Sequence, residues 1–489
     1  MTKPHQPWFV RRPMPASPVK IHLIGIAGAA MGAFACMLRD AGYTVQGSDT
    51  NVYPPMSDEL TRRGVAWMEG FAAEHLDWGP DLVIVGNVCR RDNPESVAAE
   101  AAGIPSVSFP QAFADLFLGD RVPVVLTSTH GKTTTTTLAA WLLHQGGLSP
   151  GLLVGGVARN FGATYLLQGG AGDPFVVEGD EYDTAWFDKG PKFLHYCPKI
   201  CVLNNIEFDH ADIYDDLDEI IENFDRLMDR LGPETLLLAN VDDPLVMARA
   251  ARASGRVLTF GFGAEATLRA TEIAPDALGC AFTFHRPDAE PVRVRSPMAG
   301  RHNVWNTLAA FGIGLELGLT MPVMQAALQT FVGVKKRQEE RGEVGGVLVI
   351  DDYAHHPTAI RETVDALRAR YPGRRLWAVY EPKSNTARRN VHQVEYARAF
   401  DSADRVVFAR PFVKRDAFGD DERLDTERLV AELRGRGVDA TYLPSVDATL
   451  AHLLASVLPG DVVAFMSSSG FEGIHDRLLA GLRASASDA

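Results

Sequence analysis

Short apolar runs recur along the chain, and most close on Gly, Ser, Asp or Asn just before a stretch of helical period begins. In the first third, VKIHLIGI at 19–26 runs into AGAAMGAFACMLRDAGY, a helical pattern that stops at Gly42. YTVQGSD then ends on Ser48 and Asp49, and further runs follow at 81–86 (DLVIVG) and 104–109 (IPSVSF). The middle third carries runs at 122–126 (VPVVL), 174–180 (PFVVEGD), 200–204 (ICVLN) and 235–240 (TLLLAN). Shorter strands continue through Arg295, and a long helix opens near His302. A basic turn, FVGVKKRQ at 331–338, precedes runs at 347–352, 375–380, 404–409 and 461–466. A run that is apolar on both faces suits a parallel strand covered by helices, and its alternation with helical stretches predicts α/β layers. At 489 residues the chain exceeds what one core organises. The pattern divides it into a Rossmann-like N-terminal domain at 19–119, a central domain at 120–333 and a Rossmann-like C-terminal domain at 334–489.

The stretch 122–147, VPVVLTSTHGKTTTTTLAAWLLHQGG, joins an apolar run to a helix through a polar turn. A helix N-terminus points backbone N–H groups and a positive dipole end at an anion, and Lys132 adds a full charge. The hydroxyl after the Lys, on Thr133, is placed to hold Mg²⁺. A full P-loop, GxxxxGK[ST], has Gly where this chain has Leu126. Acids at the ends of neighbouring strands are natural metal ligands in such a site. Glu178 is the first candidate, with Glu181 and Asp183 just beyond, and Asp209 and His210 close the next run. His302, Asn303 and Asn306 open the long helix as an adenine-binding edge or as capping groups. The loop EPKSNTARRN, with Lys383, Arg388 and Arg389 beside Ser384 and Asn385, suits a carboxylate or phosphate. In the first domain Gly25, Gly28 and Gly32 miss the GxGxxG spacing, with Ala27 and Ala30 in two of the glycine places. A dinucleotide-using dehydrogenase is therefore disfavoured, although the turn still lets backbone approach a diphosphate.

Charge and cysteines narrow the class. A net charge of -14 argues against a nucleic-acid or membrane-surface protein. The five cysteines form no paired zinc motif and no disulfide framework. No apolar run reaches the length of a membrane span, and residues 1–18 read as a disordered leader rather than a signal peptide.

With those pieces in order, the sequence resembles the ATP-dependent Mur ligases: STHGKTTT, EGDEYD, NNIEFDH, GRHNVWN and DDYAHHPT stand in that family's order between residues 20 and 470. The resemblance implies a three-domain Mur ligase architecture with a central P-loop ATPase domain. The first domain would bind UDP-N-acetylmuramate, and the last would deliver an amine. SDTNVYPPMS, VIVGNVCRRDNP, EPKSNTARR and MSSSGFEGIH resemble the branch whose acceptor is the tripeptide L-Ala-γ-D-Glu-meso-diaminopimelate, used in peptidoglycan recycling. A sister branch adds L-alanine instead. ATP is implied as co-substrate, with two Mg²⁺ ions and a cytoplasmic monomer or weak homodimer.

Residue by residue, Lys132, Thr133 and Glu178 match the family's phosphate and metal positions, and His210 matches its second metal ligand. Ser128, Thr129, His130, Gly131 and Thr134 complete the phosphate loop. His302, Asn303 and Asn306 match the adenine cluster, and Arg337 and Asp351 match the hinge Arg and the ribose-binding Asp. Gly25, Gly28, Ser48, Asp49 and Asn87 resemble the UDP-sugar site. Ser128 stands where the family often has Gly, and no Lys occurs between His210 and Arg249, so a carbamylated Lys is absent there. The competing readings are the L-alanine ligase and a P-loop NTPase switch without ligation.

Overall fold

A computed structural model describes residues 9–54, 56–412 and 419–487. The chain packs as two compact units, one built from residues 1–206, 218–260 and 309–327, the other from 207–217, 261–308 and 328–489.

The first unit begins with a parallel sheet of order β3-β2-β1-β4-β5. Its strands are β1 (Lys20–Ile24), β2 (Thr44–Asp49), β3 (Ala66–Glu69), β4 (Leu82–Val85) and β5 (Ser106–Ser108). The helices between them are α1 (Ala29–Asp40), α2 (Met56–Arg62), α3 (Pro94–Ala101) and α4 (Phe109–Phe113). β4 is buried along its whole length, as its unbroken LVIV requires. Asn93 caps α3, its side chain accepting from the N–H groups of Glu95 and Ser96, with Pro94 preset at the first helical position.

The same unit continues with β6 (Val122–Thr127), α5 (Lys132–Gln145), β7 (Gly151–Ala158), β8 (Ala163–Leu166), β9 (Pro174–Gly179) and β10 (Ile200–Leu203). Then come α6 (Leu217–Arg230), β11 (Leu236–Asn240), α7 (Pro244–Ala250) and β12 (Arg256–Gly261). These strands lie in the order β12-β11-β10-β6-β9-β7-β8, parallel except where β8 runs against β7. β6, which feeds the phosphate loop, sits between β9 and β10, so all three strand ends open on one edge.

The leader is ordered from Phe9 onward, contrary to the sequence expectation, while residues 1–8 lie outside the described residues. The Val10 N–H donates to Asp188. The Gln111 side chain accepts from the Arg12 N–H and donates to its carbonyl. The Arg12 guanidinium lies 3.6 Å from the centroid of the Phe187 ring. Arg12 thus gains a stacked aromatic partner and a two-point backbone clasp, which hydropathy does not reveal.

The second unit holds the antiparallel strands β13 (Leu268–Asp276), β14 (Gly279–His285) and β15 (Val292–Ser296). α8 (Arg301–Glu316) begins in this unit, and α9 (Met321–Gln329) follows in the first. The C-terminal sheet has the order β16-β17-β21-β18-β19-β20. It is built from β16 (Glu339–Val344), β17 (Val347–Asp352), β18 (Leu376–Tyr380), β19 (Arg405–Ala409), β20 (Asp439–Leu443) and β21 (Val462–Met466). Only β16 is antiparallel to its neighbour. The helices are α10 (Pro357–Arg370), α11 (Gln393–Tyr396), α12 (Thr426–Gly435), α13 (Val446–Ser456) and α14 (Ile474–Ser487). One face packs Ile350, Tyr380, Phe400 and Phe408, and the other Trp377, Phe465, Phe471 and Leu478.

Among the described residues no helix is long and apolar enough to cross a membrane. All five cysteines are free, and burial pushes the Cys201 thiol up to about 12.

Candidate functional site

β6 ends at Thr127, and Gly131 turns the chain into α5 with a φ of 85°, a conformation that suits glycine. The loop between them is fastened from within. The Ser128 hydroxyl donates to the His130 carbonyl at 2.8 Å, so the side chain that replaces the usual glycine is folded into the loop. Asn205, just past β10, accepts from the His130 N–H at 2.7 Å and donates back to its carbonyl at 3.1 Å. Asn205 lies in the NNIEFDH run but is not among the candidate site residues read from sequence.

Lys132 sits inside this loop. Its ammonium donates to the Ser128 carbonyl at 2.5 Å and to Glu181 at 2.6 Å. Burial opposes its charge, yet Glu181 and Asp180 raise its pKa above the ordinary lysine value. Thr133 hydrogen-bonds Glu178 at the end of β9, and Glu178 also accepts from the Gly155 N–H at 3.2 Å. Burial first, and Asp180 second, push the Glu178 carboxyl up to about 7. Asp180 goes the other way: burial resists, but Lys192 at 2.7 Å and Lys132 hold it below the usual range. Lys192 was missed from sequence, since it stands beyond the acidic motif and only the fold returns it. Thr134 is buried in the first turn of α5.

In the N-terminal sheet the Gly25 and Ile26 N–H groups both donate to the Ser48 carbonyl. Asp49 accepts from the Ala27 N–H at 2.9 Å. Gly25 has a φ of 86° and faces Cys89 so closely that a Cβ would lie 3.3 Å from its sulfur. Gly28 caps α1, and Asn87 is exposed beyond β4. Ser48 is fully buried, and its hydroxyl is donated inward to Glu95.

In the second unit the Asn303 amide donates to the Ala299 carbonyl at 2.7 Å, and the Asn306 amide donates to Asn303 at 2.9 Å. The pair therefore ties down the start of α8. His302 faces Glu362 at 3.3 Å. Strand alternation separates the two acids that end β17. Asp351 faces His475 at 3.2 Å and Arg341 at 3.8 Å. Asp352 faces the other way. Burial raises its pKa, while the charges of Arg337 and His302 pull it down, and the Gln338 and Ala354 N–H groups cap it. The structure thus gathers Asp352, not Asp351, with Arg337 and His302.

The segment 207–217 belongs to the same unit. His210 adopts a φ of 56° beside Asp209, whose carboxyl His210, His355 and His356 hold well below the carboxylate range despite its burial. Asn385 donates to Asp212 at 2.6 Å and accepts from Arg388 at 2.9 Å, while the Ser384 hydroxyl accepts from the Ala387 N–H. Those three residues shape their loop, and Lys383 lies 3.6 Å from the centroid of the Phe412 ring. Glu381, missed from sequence, joins this loop to the one after β21: Ser467 and Ser469 donate to it at 2.6 and 2.8 Å.

Three family descriptions match in order: "Mur ligase family, catalytic domain" over residues 20–121, "Mur ligase middle domain" over 126–314 and "Mur ligase, glutamate ligase domain" over 336–469. The chain is also 38% identical to the UDP-N-acetylmuramate--L-alanyl-gamma-D-glutamyl-meso-2,6-diaminoheptandioate ligase of Escherichia coli (strain K12), over 95% of this chain and 98% of that one. The chain belongs to the Mur ligase family. Among other Mur ligases, the UDP-N-acetylmuramate--L-alanine ligase of Desulfatibacillum aliphaticivorans is 32% identical over 94% of this chain and 98% of its own. The crystal structure of a murein peptide ligase from Psychrobacter arcticus 273-4 is 34% identical, with a TM-score of 0.71 covering 94% of this chain and 98% of the other. The three-domain α/β architecture read from sequence is that of the Mur ligases, with a P-loop in the middle domain.

Proposed function

We propose that this Mur ligase joins the tripeptide L-Ala-γ-D-Glu-meso-diaminopimelate to UDP-N-acetylmuramate at the expense of ATP, in cytoplasmic peptidoglycan recycling. The observation that carries the acceptor choice is the 38% identity along the full chain to a ligase named for that tripeptide, against 32% for one named for L-alanine.

The chemistry follows from the problem. A carboxylate is a poor electrophile, so an oxygen of the lactyl carboxylate first takes the γ-phosphoryl group of ATP, giving an acyl phosphate and ADP. The alanyl amine then attacks the acyl carbon, the C–N bond forms, the C–O bond to phosphate breaks so that phosphate leaves, and the amine gives up a proton. Phosphoryl transfer asks the protein for alignment and charge neutralisation. Lys132 and the loop N–H groups are suited to hold the phosphates. Thr133 and Glu178 offer hard oxygen donors side by side, and the crowding of Glu178 against Asp180 is a charge that a divalent cation relieves. Mg²⁺ bound there supplies neutralisation for the transferring group. A second ion at His210 is part of the same proposal. Gly25, Gly28, Asp49 and Asn87 line the turn assigned to UDP-N-acetylmuramate, and Lys383 is the acceptor loop's cation for the peptide carboxylates. His302, Asn303, Asn306, Arg337 and Asp352 make the nucleoside side of the ATP site. Asp352→Ala is accordingly expected to raise the KM for ATP about tenfold, the cost of one hydrogen-bonded charge, and Asp351→Ala to leave it near wild type. Initial rates against ATP concentration distinguish the two.

ADP release measured with each amine tests the function. The tripeptide is expected to exceed L-alanine by at least about a hundredfold in kcat/KM, because a site built around a larger polar acceptor leaves its groups unpaired with a smaller one. Preference for L-alanine assigns the sister activity, and ADP release without either amine assigns an NTPase switch.

A further inference from the structure

Glu95 is fully buried in the first turn of α3, in the domain assigned to UDP-N-acetylmuramate. Three other segments converge on its carboxylate. His22 of β1 meets one oxygen at 3.0 Å, and the Ser48 hydroxyl of β2 donates to the same oxygen at 2.5 Å. His75 meets the other oxygen at 2.6 Å, and the Ala72 N–H donates to it at 3.3 Å. The remaining ring nitrogen of His22 is buried without a hydrogen-bond partner, so Glu95 is the anchor that fixes that ring. A carboxylate shared by two imidazoles and a hydroxyl is a costly group to bury, and it persists only in a satisfied network.

The network ends at the glycine turn. Ser48, held by its side chain on Glu95, accepts through its carbonyl from the N–H groups of Gly25 and Ile26. Its neighbour Asp49 accepts from the Ala27 N–H. The three N–H groups that open the turn therefore all donate to the end of β2, where Glu95 holds the Ser48 side chain.

We propose that Glu95 is a positioning residue for sugar-nucleotide binding, acting through Ser48 to hold the Gly25–Gly28 turn without touching the substrate itself. Ser48, in this arrangement, serves as the link and not as a ligand. The role rests on the reading that this domain binds UDP-N-acetylmuramate.

Steady-state rates of the full-length enzyme test it. Glu95→Ala is expected to raise the KM for UDP-N-acetylmuramate about tenfold while the KM for ATP, the KM for tripeptide and kcat stay within about twofold. Glu95→Gln, which keeps an acceptor for Ser48, is expected to return that KM to within about threefold of wild type. Should Glu95→Ala fail to fold, Ser48→Ala removes only the link and is expected to raise the same KM about threefold. Unchanged sugar-nucleotide KM in the soluble variants, or all three KM values rising together, overturns the positioning role. Asp49→Ala separates the two levels. If it raises the sugar-nucleotide KM and the Glu95 and Ser48 variants do not, only the role of Glu95 fails. If Asp49→Ala also leaves that KM unchanged, the domain assignment itself fails.

Discussion

Lys132→Ala is expected to lower ADP formation at saturating substrates by at least about a thousandfold, the scale seen when a preorganised charge facing a transferring phosphoryl group is removed. The ammonium sits at the centre of the loop, in reach of two of its carbonyls and of Glu181. Affinity for UDP-N-acetylmuramate is expected to stay within about threefold, since the Gly25–Gly28 turn is built on β1 and β2 and owes nothing to Lys132. Removing the ammonium also takes away the counter-charge that Lys132 gives the buried carboxylate of Glu181, at a cost of about 3 kcal/mol. The double variant Lys132→Ala, Glu181→Gln removes that charge as well. It should recover the melting temperature but not the activity. Coupled ADP assays, equilibrium binding and thermal melts on both variants decide the matter, and wild-type turnover in either one removes the loop from the mechanism.

The strands were legible because a parallel strand buried on both faces must be apolar throughout, and β4, β18 and β21 are. The phosphate loop was legible because its chemistry is local: GKT, a preceding strand and a following helix. What the sequence could not carry was direction. Ser48 is a polar residue at a strand end whether its hydroxyl faces a ligand or Glu95, and Glu95 looks like an ordinary acid in a first helical turn. Asp351 and Asp352 are adjacent and chemically identical. Only strand alternation sends one to His475 and the other toward Arg337 and His302. Asn385 reads as a ligand group, yet its amide donates to Asp212 and its oxygen accepts from Arg388. Lys192 and Asn205 act through contacts that depend on the sheet order, and no local pattern marks Lys192.

Glu178→Gln should separate catalysis from stability, with opposite signs. The substitution keeps an oxygen for Thr133 and Gly155 but removes the charge that a divalent cation needs, so kcat is expected to fall by about a hundredfold or more and the Mg²⁺ requirement to rise. Stability is expected to change the other way in Mg²⁺-free buffer. Burial and Asp180 raise the folded-state carboxyl from 4.5 to about 7. A carboxyl raised on folding favours the native state while protonated. Its ionisation therefore penalises folding increasingly as pH climbs from the unfolded value through the folded one, and fully above it. For this partly buried side chain the penalty is about 2 kcal/mol. The amide carries none of it, so Glu178→Gln is expected to melt about 2 °C higher than wild type at pH 8 and nearly the same at pH 4. Mg²⁺ should narrow the gap at pH 8 by stabilising the wild type alone. A variant that melts lower at pH 8 without Mg²⁺ would show that Glu178 is held as an ordinary structural anion, and the crowding with Asp180 would then have no part in drawing a cation to this strand end.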